Sequence, residues 1–138
     1  MRVSQRLDYA VRALVELARL DPGESISAGE VAARLGLPKR FLEQQLTALA
    51  RAGIVSGRRG SGGGCALAAP ADSLTVAAVA RAVERDVLDV PHTSASAVAE
   101  MWADAADALD AHLGEVTIAR LAERQDAIDA EAAGMYYL

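Results

Sequence analysis

Apolar side chains recur at helical spacing from the start of the chain: Leu7, Val11, Leu14 and Ala18 fall on one face. The turn sequence Asp21-Pro22-Gly23 ends this first predicted helix. Ser27-Ala28-Gly29-Glu30 then fits a capping box, in which the serine oxygen accepts from first-turn amides and the glutamate reaches back. The short helix it opens, over residues 27–35, ends at Gly36. Pro38 sits where a third helix begins, at a position whose N–H has no intrahelical partner anyway. That helix places Leu42, Leu46 and Leu49 on one face and stops at Gly53. Its other face carries Lys39, Arg40, Glu43, Gln44, Thr47 and Arg51, a polar surface with cations at the helix start. Two short helices joined by Gly36-Leu37-Pro38 have helix-turn-helix spacing.

Beyond Gly53 the period changes. Residues 54–57 read as a short extended segment, residues 58–64 (Arg-Arg-Gly-Ser-Gly-Gly-Gly) as a basic, glycine-rich tip, and residues 65–68 as the returning strand. Three helices followed by a basic hairpin is the order of a winged helix. The tip suits a polyanion: glycines let the backbone come close, Arg58 and Arg59 supply attraction, and a thin arginine-bearing loop can enter a narrow minor groove. A nucleotide phosphate loop is rejected, because no Lys-Ser/Thr follows the glycines and no helix opens there.

Further on, Ser73 or Thr75 caps a helix running through Val76, Val79, Ala80 and Val83 to about Glu84. Residues 85–95, with Pro91, read as a loop. A longer helix over residues 96–113, ending at Gly114, would be about 27 Å long. It sets Val98, Trp102, Ala105, Leu109 and Leu113 on one side and Glu100, Asp104 and Asp107 on another. Thr117 caps a last helix carrying Ile118, Leu121 and Ile128.

Composition narrows the picture. A chain of 138 residues, 52% hydrophobic and 4% aromatic, suits one domain with a Leu/Val/Ala-rich helical core. No apolar run reaches the roughly 18 residues of a membrane span, and no secretory signal pattern opens the chain, so the expected compartment is the cytoplasm. The net charge of −5 divides unevenly. Residues 1–65 hold ten Lys/Arg against six Asp/Glu, whereas residues 66–138 hold four against thirteen. A basic first half suffices for phosphate binding, since exposed charges beyond about 8–10 Å are screened at cellular salt.

The remaining chemistry is sparse. Cys65 is the one cysteine, which excludes an intramolecular disulfide and a cysteine-based zinc site. It admits two readings: a redox sensor beside Arg58 and Arg59, or a small apolar filler facing the core. His92 has no companion at metal-ligand spacing, and His112 suits the end of the long helix by charge. No nucleophile stands at a suggestive spacing from a histidine, so no enzyme activity and no cofactor or metal is expected.

These stretches carry a resemblance. Residues 9–14 (Tyr-Ala-Val-Arg-Ala-Leu), 38–44 (Pro-Lys-Arg-Phe-Leu-Glu-Gln), 51–55 (Arg-Ala-Gly-Ile-Val) and 59–64, then Leu67-Ala68, Pro70, Leu74-Thr75-Val76, residues 79–84 and Trp102, resemble the Rrf2 family of bacterial winged-helix regulators in the same order. The resemblance implies a mainly α fold: a winged helix-turn-helix with a two-stranded β wing and a long C-terminal dimerisation helix. Residues 1–84 would form the DNA-binding unit, and residues 85–138 the loop, the long helix and the C-terminal helix. It implies a homodimer on double-stranded DNA, with Val98, Met101, Trp102, Ala105 and Leu109 at the dimer interface. Pro38, Lys39, Arg40, Glu43 and Gln44 would meet the major groove, Arg58, Arg59 and Gly60 the minor groove, and Ser4, Gln5 and Tyr9 the DNA backbone. Many family members hold an iron–sulfur cluster on three cysteines before the long helix. Residues 86–96 here contain no cysteine, which implies a cluster-free member. The signal stays open between a small-molecule effector, oxidation of Cys65, a partner protein and concentration alone. A winged-helix module that works with a metabolic-enzyme partner is the alternative reading.

Overall fold

A computed structural model describes residues 3–58, 63–84, 90 and 96–135, with the side chain of Arg58 excepted. Arg59, Gly60, His92, most of the 85–95 loop and the Tyr136-Tyr137 end therefore lie outside the described residues. The elements are α1 (Gln5–Ala18), α2 (Ala28–Leu35), α3 (Lys39–Arg51), β1 (Val55–Arg58), β2 (Gly64–Leu67), a 3-10 turn (Ala71–Ser73), α4 (Val76–Val83), α5 (Ala97–Glu115) and α6 (Ile118–Met135). The fold is mainly α, as the periodicity predicts. Among the described residues no helix is long and apolar enough to cross a membrane.

The predicted start and stop signals are seen as side-chain caps at helix starts and a left-handed glycine at the end of α2. Ser27 accepts from the Glu30 amide at 3.1 Å, while the Glu30 carboxylate pairs with Arg34 at 3.0 Å. Gly36 ends α2 at φ 65°, a left-handed conformation that costs an L side chain about 1 kcal/mol or more. Thr75, not Ser73, caps α4 by accepting from Ala78 N–H at 3.2 Å; the Ser73 hydroxyl donates to the Pro70 carbonyl instead. Thr117 caps α6 at 3.1 Å from Arg120 N.

Two boundaries need correction. α5 runs through Gly114 to Glu115, because glycine lowers helix stability without ending a helix whose other residues are mostly strong formers. The hairpin pairs Arg58 with Gly64 in antiparallel register, so both belong to strands and the tip is shorter than residues 58–64.

Leu14, Leu42, Leu49, Val31, Val79 and Ile118 are the largest fully buried side chains, drawn from α1, α2, α3, α4 and α6. Ile118 shows that the chain returns to the winged-helix core after α5. Val76 N–H donates to the Val116 carbonyl at 2.9 Å, and Ile118 N–H to the Leu74 carbonyl at 2.8 Å, stitching the α5–α6 corner to the start of α4. α6 then lies on α1, where Arg19 gathers Glu16 at 3.1 Å, Asp126 at 2.8 Å and Asp129 at 2.5 Å. Burial disfavours the Arg19 charge, but Asp129, Asp126 and Glu16 outweigh it and hold its pKa above the ordinary value. α5 behaves differently: none of its residues is buried, and Val98, Met101 and Trp102 are 61%, 50% and 43% exposed. Arg81 on α4 steadies its far end through Asp110 at 3.2 Å.

Candidate nucleic-acid interface

α3 opens after Pro38, whose extended conformation (φ −62°, ψ 126°) turns the chain into the helix. Burial of Leu42, Leu46 and Leu49 against the core orients the opposite face outward. Lys39, Arg40, Glu43, Gln44, Thr47 and Arg51 are all exposed there, the row expected from periodicity. Lys39 stands 3.7 Å from Glu43. Its aliphatic stem passes over Gly29, where a Cβ would lie 3.4 Å from Lys39 Cε. Thr47 turns its hydroxyl back to the Glu43 carbonyl at 2.8 Å. Arg40, Gln44 and Arg51 form no side-chain hydrogen bond or ion pair with the described residues, so their donors are available to an outside partner.

α1 contributes through position rather than through a free row of donors. Tyr9 is half-buried, and its ring meets Phe41 edge-on, with centroids 5.3 Å apart at 83°. This contact joins α1 to the first turn of α3. Ser4 is the N-cap of α1: its oxygen accepts from Leu7 N–H at 3.0 Å and its hydroxyl donates to the Glu84 carboxylate. The serine expected at the DNA backbone thus has its hydroxyl committed within the fold. Gln5 beside it is exposed.

The wing is rooted by a contact that periodicity does not reveal. Ile26, in the loop before α2, bridges to β2: Ile26 N–H donates to the Cys65 carbonyl at 3.1 Å, and Cys65 N–H to the Ile26 carbonyl at 2.7 Å. Gly64 is required here, since a Cβ on it would fall 2.5 Å from both the carbonyl carbon and oxygen of Ile26. One bridged residue is too short to give a strand pattern. The cue available was a lone isoleucine between two serines ahead of a helix cap.

Cys65 is buried, and its thiol lies 3.3 Å from the Ile26 carbonyl oxygen. It borders a hollow of about 400 Å³ shared with Leu46, Ala50 and Val55. Burial pushes the thiol pKa up, against a smaller opposing effect of a backbone hydrogen bond, and so reduces the thiolate that oxidants attack. This environment matches the packing reading of Cys65 better than the sensor reading. Val98, Met101 and Trp102 line up on α5 with Ala105 and the half-buried Leu109, an apolar face left exposed by the described residues.

The family model Rrf2, described as an iron-dependent transcriptional regulator, matches residues 3–124. The chain is 38% identical over 117 residues to the HTH-type transcriptional regulator IscR of Cereibacter sphaeroides, covering 83% of this chain and 75% of that protein. It is 36% identical over 98 residues to an rrf2-like HTH-type transcriptional regulator of Rhodobacter capsulatus, covering 69% of this chain and 65% of the relative's length. Among solved structures, CymR, the global cysteine regulator of B. subtilis, is similar with a TM-score of 0.81 at 27% identity, over 90% of this chain and 98% of that one. These relatives are transcriptional regulators, not enzymes.

The donor set does not fit an iron–sulfur cluster. Such a cluster is held by several thiolates or imidazoles, whereas this chain has one cysteine and two histidines. The cysteine is buried at the wing root, and among the described residues no group of three His, Cys, Asp or Glu is placed to hold a metal ion.

Proposed function

We propose that this chain, which belongs to the Rrf2 family of transcription regulators, represses transcription by binding a roughly palindromic operator as a homodimer. The observation that carries this reading is the outward row on α3. It is backed by buried Leu42, Leu46 and Leu49, and Arg40, Gln44 and Arg51 are exposed with no side-chain hydrogen bond or ion pair to the described residues. Such a helix fits the major groove, where glutamine reads the adenine N6/N7 edge, glutamate accepts from cytosine N4, and arginine pairs with guanine or phosphate. The wing root stands beside it, so Arg58 and Arg59 would reach the adjoining minor groove. The apolar face of α5 that the described residues leave exposed supports the homodimer, since a contiguous exposed apolar patch often marks an interaction surface. Two-fold related reading helices then call for two half-sites about one helical turn apart.

Selection of genomic fragments by the purified, metal-free protein tests the reading. The expected result is one palindromic promoter site whose affinity falls steeply with salt, by nearly one unit in log K per log salt for each neutralised phosphate. Arg59→Ala should weaken that site by about 1–3 kcal/mol, and Gln44→Ala should relax base preference at one position per half-site. Absence of any enriched fragment refutes the DNA reading and leaves a protein-binding winged helix. The buried, pKa-raised Cys65 predicts that mild oxidant leaves recovery unchanged.

A further inference from the structure

We propose that Glu84 is a positioning residue for DNA binding, acting through Ser4 on α1 and through Tyr9 on the start of the reading helix; this rests on the DNA-binding reading above. Glu84 ends α4, and its N–H donates to the Ala80 carbonyl at 2.8 Å. α4 is itself anchored by buried Val76, Val79, Ala80 and Val83. The Glu84 carboxylate accepts the Ser4 hydroxyl, and the same Ser4 oxygen caps Leu7 N–H at 3.0 Å. One carboxylate therefore holds the first turn of α1 against the end of a buried helix, with its negative charge at the positive end of the α1 dipole. Tyr9 lies five residues on, about 7–8 Å along the axis of the same helix. Its ring meets Phe41 at 5.3 Å, in the turn of α3 that also bears Lys39 and Arg40. A short, rigid path thus joins the residue where the chain leaves the winged helix to the residues that would face DNA.

The chain's one phenylalanine makes the test direct. Protein labelled with fluorinated phenylalanine gives one ¹⁹F signal, from Phe41, which is sensitive to the edge-on Tyr9 ring and does not require DNA. Glu84→Ala should move that signal although Glu84 does not touch Phe41. Glu84→Gln, which keeps an oxygen to accept the Ser4 hydroxyl, should restore it. Ser4→Ala should move it at least as far, because it also removes the α1 cap, and adding Glu84→Ala should then move it no further. Affinity for the selected operator should fall about three- to tenfold in Glu84→Ala, with the same non-additivity against Ser4→Ala.

A Phe41 signal unmoved by both alanine variants overturns the proposal, as does an additive pair or a glutamine variant that behaves like alanine. If the wild-type protein binds no DNA, the DNA reading has failed, while the Phe41 signal still decides whether the coupling exists. Should Glu84→Ala fail to fold, Ser4→Thr against Ser4→Ala carries the test: retention of the signal by threonine alone supports the path, and loss in both overturns it.

Discussion

Gly64→Ala should detach the wing from the body of the protein. Its new Cβ would sit 2.5 Å from two backbone atoms of Ile26 and 3.0 Å from a third, where no flexible side chain can give way. Relief requires β2 to lift from Ile26 by roughly an ångström, which breaks the two backbone hydrogen bonds at 3.1 and 2.7 Å between Ile26 and Cys65. Each is worth about 0.5–1.5 kcal/mol net, and loosening of the buried Ile26 and Cys65 adds to the loss. The expected cost is about 2–4 kcal/mol, within the range for disrupted buried backbone contacts. For a chain of this size that is on the order of 10 °C in Tm.

The assay is urea denaturation at fixed protein concentration, since the stability of the proposed dimer would depend on concentration. Gly57→Ala is the control. Gly57 pairs with Cys65 across the hairpin, but a Cβ there meets nothing within 4 Å. It should stay within about 0.5 kcal/mol of wild type, or gain slightly from a less flexible unfolded chain. Gly64→Ala should also weaken operator binding, because the arginine-bearing tip springs from the displaced strand. If Gly64→Ala proves as stable as wild type, the close approach to Ile26 is not what roots the wing. If both alanines destabilise equally, hairpin flexibility governs the effect and the steric reasoning is refuted.

Gln45 is 5% exposed and its Oε1 accepts no hydrogen bond among the described residues, so Gln45→Met, of similar size, should raise stability by about 1 kcal/mol in the same urea titration; a loss would reveal a hidden donor. Hydrogen bonds from Gln125 and from Arg19 lower the pKa of Asp129. The Asp129 contribution to stability is therefore present above the unfolded carboxylate pKa and lost as pH falls through the lower folded value. Asp129→Asn should reduce Tm at neutral pH, with the difference from wild type vanishing in acid; a constant offset would contradict the ion pair. Trp102 is the single tryptophan, so dilution of a dimer joined through α5 should shift its fluorescence to the red, and Trp102→Glu should yield a monomer by sedimentation. A spectrum independent of concentration, together with a dimeric Glu variant, would move the interface elsewhere.

How much of this molecule was legible in its sequence depended on the range of the interactions. Helix spans and the caps at Ser27, Thr75 and Thr117 follow from neighbours within four residues, and the exposed polar face of α3 follows from its own period. Gly114 misled because a stop signal is also only a propensity, and α5 continues through it. What was missed is non-local. Ile26 and Cys65 are 39 residues apart, Ser4 and Glu84 are 80 apart, and Arg19 reaches Asp126 across 107. Each of these contacts gives a residue a different job from the one its local setting suggests. Gly64 looked like part of a flexible tip and serves as the thin point where two backbones touch. Ser4, which the resemblance puts near the DNA backbone, is also the cap of α1, and its hydroxyl is held by a carboxylate. The exposed apolar row on α5 is the reverse case: its pattern was readable at once, and the homodimer proposed here is what would give it a purpose. Local periodicity therefore located the exposed polar face of α3, while the long-range contacts reveal how that face and the wing are held in place. The coupling from Glu84 to Phe41 belongs to the second class, which is why it is accessible only from the fold.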